Sequence, residues 1–224
     1  MQTRNTLTNP RLESVLATNA VVRNTYILLG LTLIFSAITA GLAMVSNARP
    51  INPLFTILVY FGLFFATTRL AHSGWGLVSI FALTGFMGYT LGPILNMYIH
   101  GYANGASIVM TSLGATGLVF FVLSGYALTT RKDFNYLGGF LTVAIMVAFL
   151  ASIAGLFFHT PVLQLVVSSA FVLISSGFIL FQTSLIINGG ERNYIIATIG
   201  LYVSIYNLFI SLLSILGIMG GNRN

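Results

Sequence analysis

The sequence predicts an all-α polytopic membrane protein, a bundle of seven transmembrane helices. Three observations predict it. Of 224 residues, 57% are hydrophobic and 5% charged, whereas a soluble domain carries about a quarter charged residues. Apolar runs of about twenty residues, the length a helix needs to cross a bilayer, recur from end to end. The loops between the runs are short, so neighbouring spans run antiparallel.

The elements follow in order. Residues 1–24 are polar, with Arg4, Arg11, Glu13 and Arg23, and read as a mostly mobile tail in which 12–22 has the pattern of a short surface helix. The first apolar run begins only near Tyr26, so no signal peptide is expected. A first span over 26–45 stops at Asn47-Ala48-Arg49-Pro50, where proline bars a further helical turn. A second span over 54–68 ends at Arg69. A third over 76–98 contains Gly92-Pro93, which is expected to bend or break it, because proline removes a backbone hydrogen bond. The fourth, 106–128, closes on Thr129-Thr130-Arg131-Lys132-Asp133, and the fifth, 138–158, on His159-Thr160-Pro161. The sixth, 162–187, and the seventh, 194–217, are joined by Asn188-Gly189-Gly190-Glu191-Arg192-Asn193. The membrane domain is thus expected over 25–219, followed by a short tail over 220–224.

Charge sets the expected orientation. With the amino terminus in the cytoplasm, seven of the nine cations face inward: Arg4, Arg11, Arg23, Arg69, Arg131, Lys132 and Arg192. Only Arg49 and Arg223 face out, a strong positive-inside bias that puts the carboxyl terminus in the periplasm. The cations are scattered between spans, which argues against a nucleic-acid surface. Cysteine is absent, so disulfide and thiol chemistry are excluded.

No carboxylate falls inside a span: Glu13, Asp133 and Glu191 all lie in the tail or loops. An intramembrane acid is the usual mark of a proton or ion path. The histidines, His72, His100 and His159, stand at span ends on different sides and form no metal set. No catalytic or phosphate-binding motif is present, and neither an enzyme nor a cofactor is expected.

What stands out is polar, small and helically spaced. Gly200, Ser204, Asn207, Ser211 and Ser214 step by four, three, four and three along one face of the last span. Ser168, Ser175 and Gln182 step by seven along the one before, with Thr183 beside them. Such stripes belong against another helix, where small residues allow close approach and hydroxyls bond across. The remaining spans are expected to surround this pair. Gln182 and Ser204 are expected to meet, as interhelical glue or, alternatively, in permeation or gating. Arg69 reads as a snorkelling anchor at the membrane edge or, alternatively, as a cation turned inward toward that pair. Gly88 and Gly92 form GxxxG, a helix-packing pattern.

Gly76-Leu77-Val78-Ser79 and, eight residues on, Gly88-Tyr89-Thr90-Leu91-Gly92-Pro93-Ile94-Leu95 resemble the signature of the Bax inhibitor 1 (transmembrane Bax inhibitor motif) family. The stretches GYTLGPILNMY, LTTRKDFNYLGG, ISSGFILFQTS and NGGERNYIIATIGLYVSIYNLFISLLSILG resemble its bacterial YccA-like branch, and the similarity runs over about 23–217. The resemblance implies two functions. Several members are pH-sensitive calcium leak channels, in which two aspartates on the last two helices share a proton and engage an arginine of the second span. The matching positions are Gln182 and Ser204, with Arg69 as the arginine, so both aspartates are missing and no coupled titration is possible. The YccA-like branch implies instead a protein of the bacterial inner membrane that binds and modulates FtsH, the membrane-anchored AAA protease. In that role the lipid-buried faces supply contacts, and the tail, with Arg4, Arg11 and Glu13, supplies a handle. The alternative is a pH-insensitive calcium or cation leak.

Overall fold

The computed structural model describes the backbone of residues 10–155 and 160–220, with side chains from residue 18 onward. Arg4, His159 and Arg223 lie outside the described residues, and so do the side chains of Arg11 and Glu13. Seven helices make up the described chain: α1 (Pro10–Val45), α2 (Pro53–Leu70), α3 (Trp75–Gly101), α4 (Gly105–Thr130), α5 (Leu137–Gly155), α6 (Pro161–Ile187) and α7 (Tyr194–Gly220). Each carries a stretch long and apolar enough to cross a membrane.

Local chemistry explains the ends. Pro10, Pro53 and Pro161 open their helices at the position where a missing N–H costs nothing. Asn52 caps α2 by accepting from the Leu54 N–H at 2.9 Å. Arg131 ends α4 in the left-handed region, with φ 51°.

Two expectations change. The segment expected as a separate surface helix over 12–22 is the beginning of α1. Nothing between Pro10 and Tyr26 breaks a helix, and Val21 and Val22 already pack on the core. The apolar stretch begins at Thr18. Secondly, Gly92-Pro93 does not break the third span: α3 is continuous through both, and both are buried. Gly92 there lies against α1, where an added Cβ would stand 2.5 Å from Ala43 Cβ and 2.8 Å from the Ala40 carbonyl oxygen. Neighbouring helices hold a proline-containing helix together in lipid.

α7 is the centre. It packs against α1, α3, α4 and α6, while α2 leans on α3 and α5 on α6. Of the apolar stretch of α7, 56% is buried, against 17% for α6, 11% for α5 and 6% for α2. The expected central pair is therefore one central helix, with α6 among the four around it. Tyr202, Leu201 and Leu208 of α7 are fully buried, together with Ile80 and Leu83 of α3 and Ile179 and Ile186 of α6. The outer faces of α1, α2 and α5 carry exposed apolar side chains such as Ile34, Phe65 and Val143, the surface a bilayer covers.

Candidate functional site

α6 and α7 meet along the two polar stripes. Near the loop that joins them, the Gln182 amide lies flat on Gly200: an added Cβ would stand 2.6 Å from Nε2 and 2.7 Å from Cδ. Ser204, one turn on, donates to the Gly200 carbonyl at 2.8 Å. Gln182 and Ser204 thus share one stretch of the seam on either side of Gly200, and no hydrogen bond joins them. Neither side chain titrates, so the pair packs but stores no proton.

Thr183 faces the other way. Its hydroxyl is 3.3 Å from Ser124 Oγ on α4 and 3.5 Å from the Tyr26 phenol on α1, and Tyr26 also bonds Ser124. Toward the opposite face of the bundle, Ser168 donates to Ser214 Oγ at 3.1 Å. Ser168, Asn207 and Ser211 line a cavity there, while Ser175 is buried between the two regions. Arg69 is exposed at the end of α2. It makes no hydrogen bond to Gln182 or Ser204, which agrees with an anchor at the membrane edge.

A second polar face of α7 went unread in the sequence. Thr198, Tyr202 and Tyr206 step by four toward α1 and α3. Thr198 donates to the Tyr194 carbonyl at 2.6 Å and approaches that of Thr25 at 3.3 Å. The Tyr202 phenol is 2.6 Å from Ser36 Oγ and donates to the Thr84 carbonyl at 3.3 Å. Tyr206 reaches Thr90 at 3.4 Å. The signal was present, three hydroxyls at i, i+4 and i+8 in an apolar span, but tyrosine is easily counted as apolar filling.

Two residues that hold the loops, Asn193 in the α6–α7 loop and Ser184 in α6, were also missed. Asn193 accepts from the Ile195 and Ile196 N–H groups, at 2.9 and 3.3 Å, and so caps α7. Its Nδ2 donates to the Ala71 carbonyl at 2.8 Å, tying the α6–α7 loop to the α2–α3 loop. Ser184 donates to the Lys132 carbonyl at 3.0 Å and accepts from the Phe134 N–H at 2.9 Å, pinning the α4–α5 loop. The loop acids are spent locally: Asp133 accepts from the Asn135 N–H and Glu191 from the Asn193 N–H, at 2.8 and 2.7 Å. Three connections on one face are thereby fixed to the bundle. Among the described residues, no cluster of three or more His, Asp or Glu side chains stands where it would hold a metal.

An uncharged seam in which a side-chain amide lies on a glycine is a device for helix contact. Residues 18–221 match the family described as inhibitor of apoptosis-promoting Bax1. The chain belongs to the Bax inhibitor 1 family. An uncharacterised protein of Pseudomonas aeruginosa is 56% identical over 204 residues, 91% of each chain. The Escherichia coli protein named modulator of FtsH protease YccA is 52% identical over 204 residues, 91% of this chain and 92% of its own. A counterpart from another Escherichia coli strain, 52% identical over the same coverage, is named inner membrane protein YccA. In the family's signature stretch, Gly88 and Gly92 are the residues that let α3 lie on α1: an added Cβ at Gly88 would stand 2.2 Å from the Ser36 carbonyl oxygen.

Proposed function

We propose that this chain is an inner-membrane regulator of membrane proteolysis that binds FtsH, the membrane AAA protease, through its spans and engages it through its amino-terminal segment. Its amino terminus then faces the cytoplasm and its carboxyl terminus the periplasm, as the distribution of cations favours. It acts as a binding protein and not as an enzyme. The observation that carries the reading is the 52% identity, over nine-tenths of both chains, to a protein named as a modulator of that protease. The form of α1 supports it: the helix begins at Pro10, eight residues before its apolar stretch, and so offers a cytoplasmic handle carrying Arg11 and Glu13, with Arg4 ahead of it. Regulation by contact requires no titrating or metal-binding group, and the α6–α7 seam contains neither.

The test is co-purification of the tagged full chain from its host membrane in mild detergent, with and without residues 1–17. The deletion stops there because Val21 and Val22 belong to the core. The protease should accompany the full chain, and deletion should change both its recovery and the rate at which the chain is degraded. Equal recovery and equal turnover would remove the handle from the proposal, and absence of the protease from both would remove the partner. The second reading, a cation leak, has the cavity lined by Asn207 and Ser211 in its favour. Calcium flux into liposomes at several pH values separates the two readings.

A further inference from the structure

The same cavity has features the regulator reading leaves unused. It measures about 680 Å³ and lies between α3, α5, α6 and α7, in the half of the membrane away from the amino-terminal face. Asn207, Ser211 and Ser214 of α7, Gln164 and Ser168 of α6 and Ser152 of α5 are among its polar lining residues. No acidic or basic side chain is among its described lining residues. Ser168 and Ser214 bond each other, and Ser152 bonds its own helix at the Phe149 carbonyl. The Asn207 amide has no hydrogen-bond partner among the described residues, although it sits midway between the ends of α7. At that depth an amide without a partner is costly, so something in the cavity meets it.

A second hollow adjoins the first. It is a groove of about 390 Å³ between α5 and α6, lined by apolar side chains alone, among them Phe140, Val143, Val147 and Ile174. Ala151 and Val167 line both hollows, so the two lie side by side. The groove follows α5 from Phe140 to Ala151, about 16 Å at the helical rise per residue. A chamber with an uncharged polar wall beside an apolar trough matches the layout of an amphiphile.

We propose that these adjoining hollows bind a bilayer glycerolipid. Its ester carbonyls accept hydrogen bonds from the Asn207 amide and the Ser211 hydroxyl, and one acyl chain lies in the α5–α6 groove. Ester oxygens are uncharged acceptors, and the chamber offers uncharged donors. With no cation among the described lining residues, the site reads the glycerol-ester region and ignores the charge of the headgroup.

The experiment uses the full chain in vesicles of equimolar phosphatidylethanolamine and phosphatidylglycerol, with a trace of phosphatidylglycerol carrying a diazirine in its acyl chain. After irradiation, label should be several-fold denser on residues 140–151 and 166–174 than on 54–65 of α2, whose Leu54, Phe55, Leu58 and Phe65 are also exposed. Ala151→Phe at the junction, or Asn207→Leu in the chamber, should reduce that excess several-fold and leave α2 labelling unchanged. A phosphatidylethanolamine tracer should give the same pattern. Equal labelling of α2 and the groove, or an excess that follows the headgroup, would overturn the assignment. The chain has no cysteine, so Ser211→Cys supplies a single thiol and keeps the test open if Ala151→Phe fails to fold. A membrane-impermeant, charged thiol reagent should leave that thiol unmodified; rapid modification would mean a water-filled vestibule and sink the proposal.

Discussion

Two glycines that look alike in the sequence carry different weight in the fold. At Gly88 an added Cβ meets backbone, the Ser36 carbonyl oxygen of α1 at 2.2 Å, and the two helices must part. At Gly200 it meets the far end of Gln182, a flexible side chain that swings aside. Gly88→Ala should therefore destabilise the bundle by about 1–3 kcal/mol, the usual overpacking cost, and Gly200→Ala by less than about 1 kcal/mol. Thermal unfolding in detergent measures both, and a reversed order would show that the α6–α7 seam is the tighter one. The Ser36–Tyr202 bond is open to a double-mutant cycle with Ser36→Ala and Tyr202→Phe. Its coupling should be about 0.6 kcal/mol, as for other hydrogen bonds between helices in lipid. The glycines and small hydroxyl residues were legible from spacing alone. The partners of Tyr202 were not, because Ser36 and Thr84 lie on helices 166 and 118 residues away in sequence.

At the scale of elements, the span boundaries were read to within a few residues, because a lipid-crossing helix must be apolar along its whole length; the exception is the start of the first, expected at Tyr26 and lying at Thr18. The order of the spans in the bundle was not legible, and the reason is physical. α5 is the most apolar of the seven, yet 11% of its apolar stretch is buried, against 56% for the less apolar α7. In lipid, apolar surface faces outward at no cost, so hydrophobicity does not report burial as it does in water. Polarity at helical spacing reports which face of a helix packs, so the stripes of α6 and α7 meet along one seam, but with a stripe on each it did not tell that α7 is the centre and α6 part of the ring. Gly92-Pro93 shows the same limit: the residue types predicted a bend or a break, and α3 runs unbroken through both, with Gly92 packed on α1. The loops yield the element-scale prediction. Asn193 does two jobs, accepting from α7 and donating to the Ala71 carbonyl. Asn193→Asp keeps the acceptor and loses the donor, whereas Asn193→Ala loses both. Hydrogen exchange at the Ile195 and Ile196 amides should speed up in the alanine variant and hold in the aspartate variant, with the cap contributing about 1 kcal/mol. Equal exchange in both would mean that the tie to Ala71, and not the cap, holds the start of α7.

At the scale of the whole molecule, α1 joins the core to the region outside the membrane. Side chains from Val21 onward pack into the core, and the same unbroken helix runs back to Pro10. A rigid helix rooted in the core transmits force and orientation, whereas a loose tail only presents a chain end. The proposed engagement of the protease therefore has two forms that deletion alone does not separate. Ala17→Pro does separate them. Proline at this position removes the α1 hydrogen bond to the carbonyl four residues back and clashes with it, kinking the helix just ahead of the apolar stretch while leaving every residue of the handle present. If α1 acts as a rigid lever, Ala17→Pro should reproduce the effect of deleting residues 1–17 on protease recovery and turnover. If the segment serves only as a chain end to be grasped, the variant should be recovered with the protease as well as the parent and degraded at least as fast. Pulse-chase measurement of turnover, alongside co-purification, reads both. The lever is the expected outcome, because a helix continuous with the packed core is already ordered in the free chain and loses less entropy on binding than a disordered segment would.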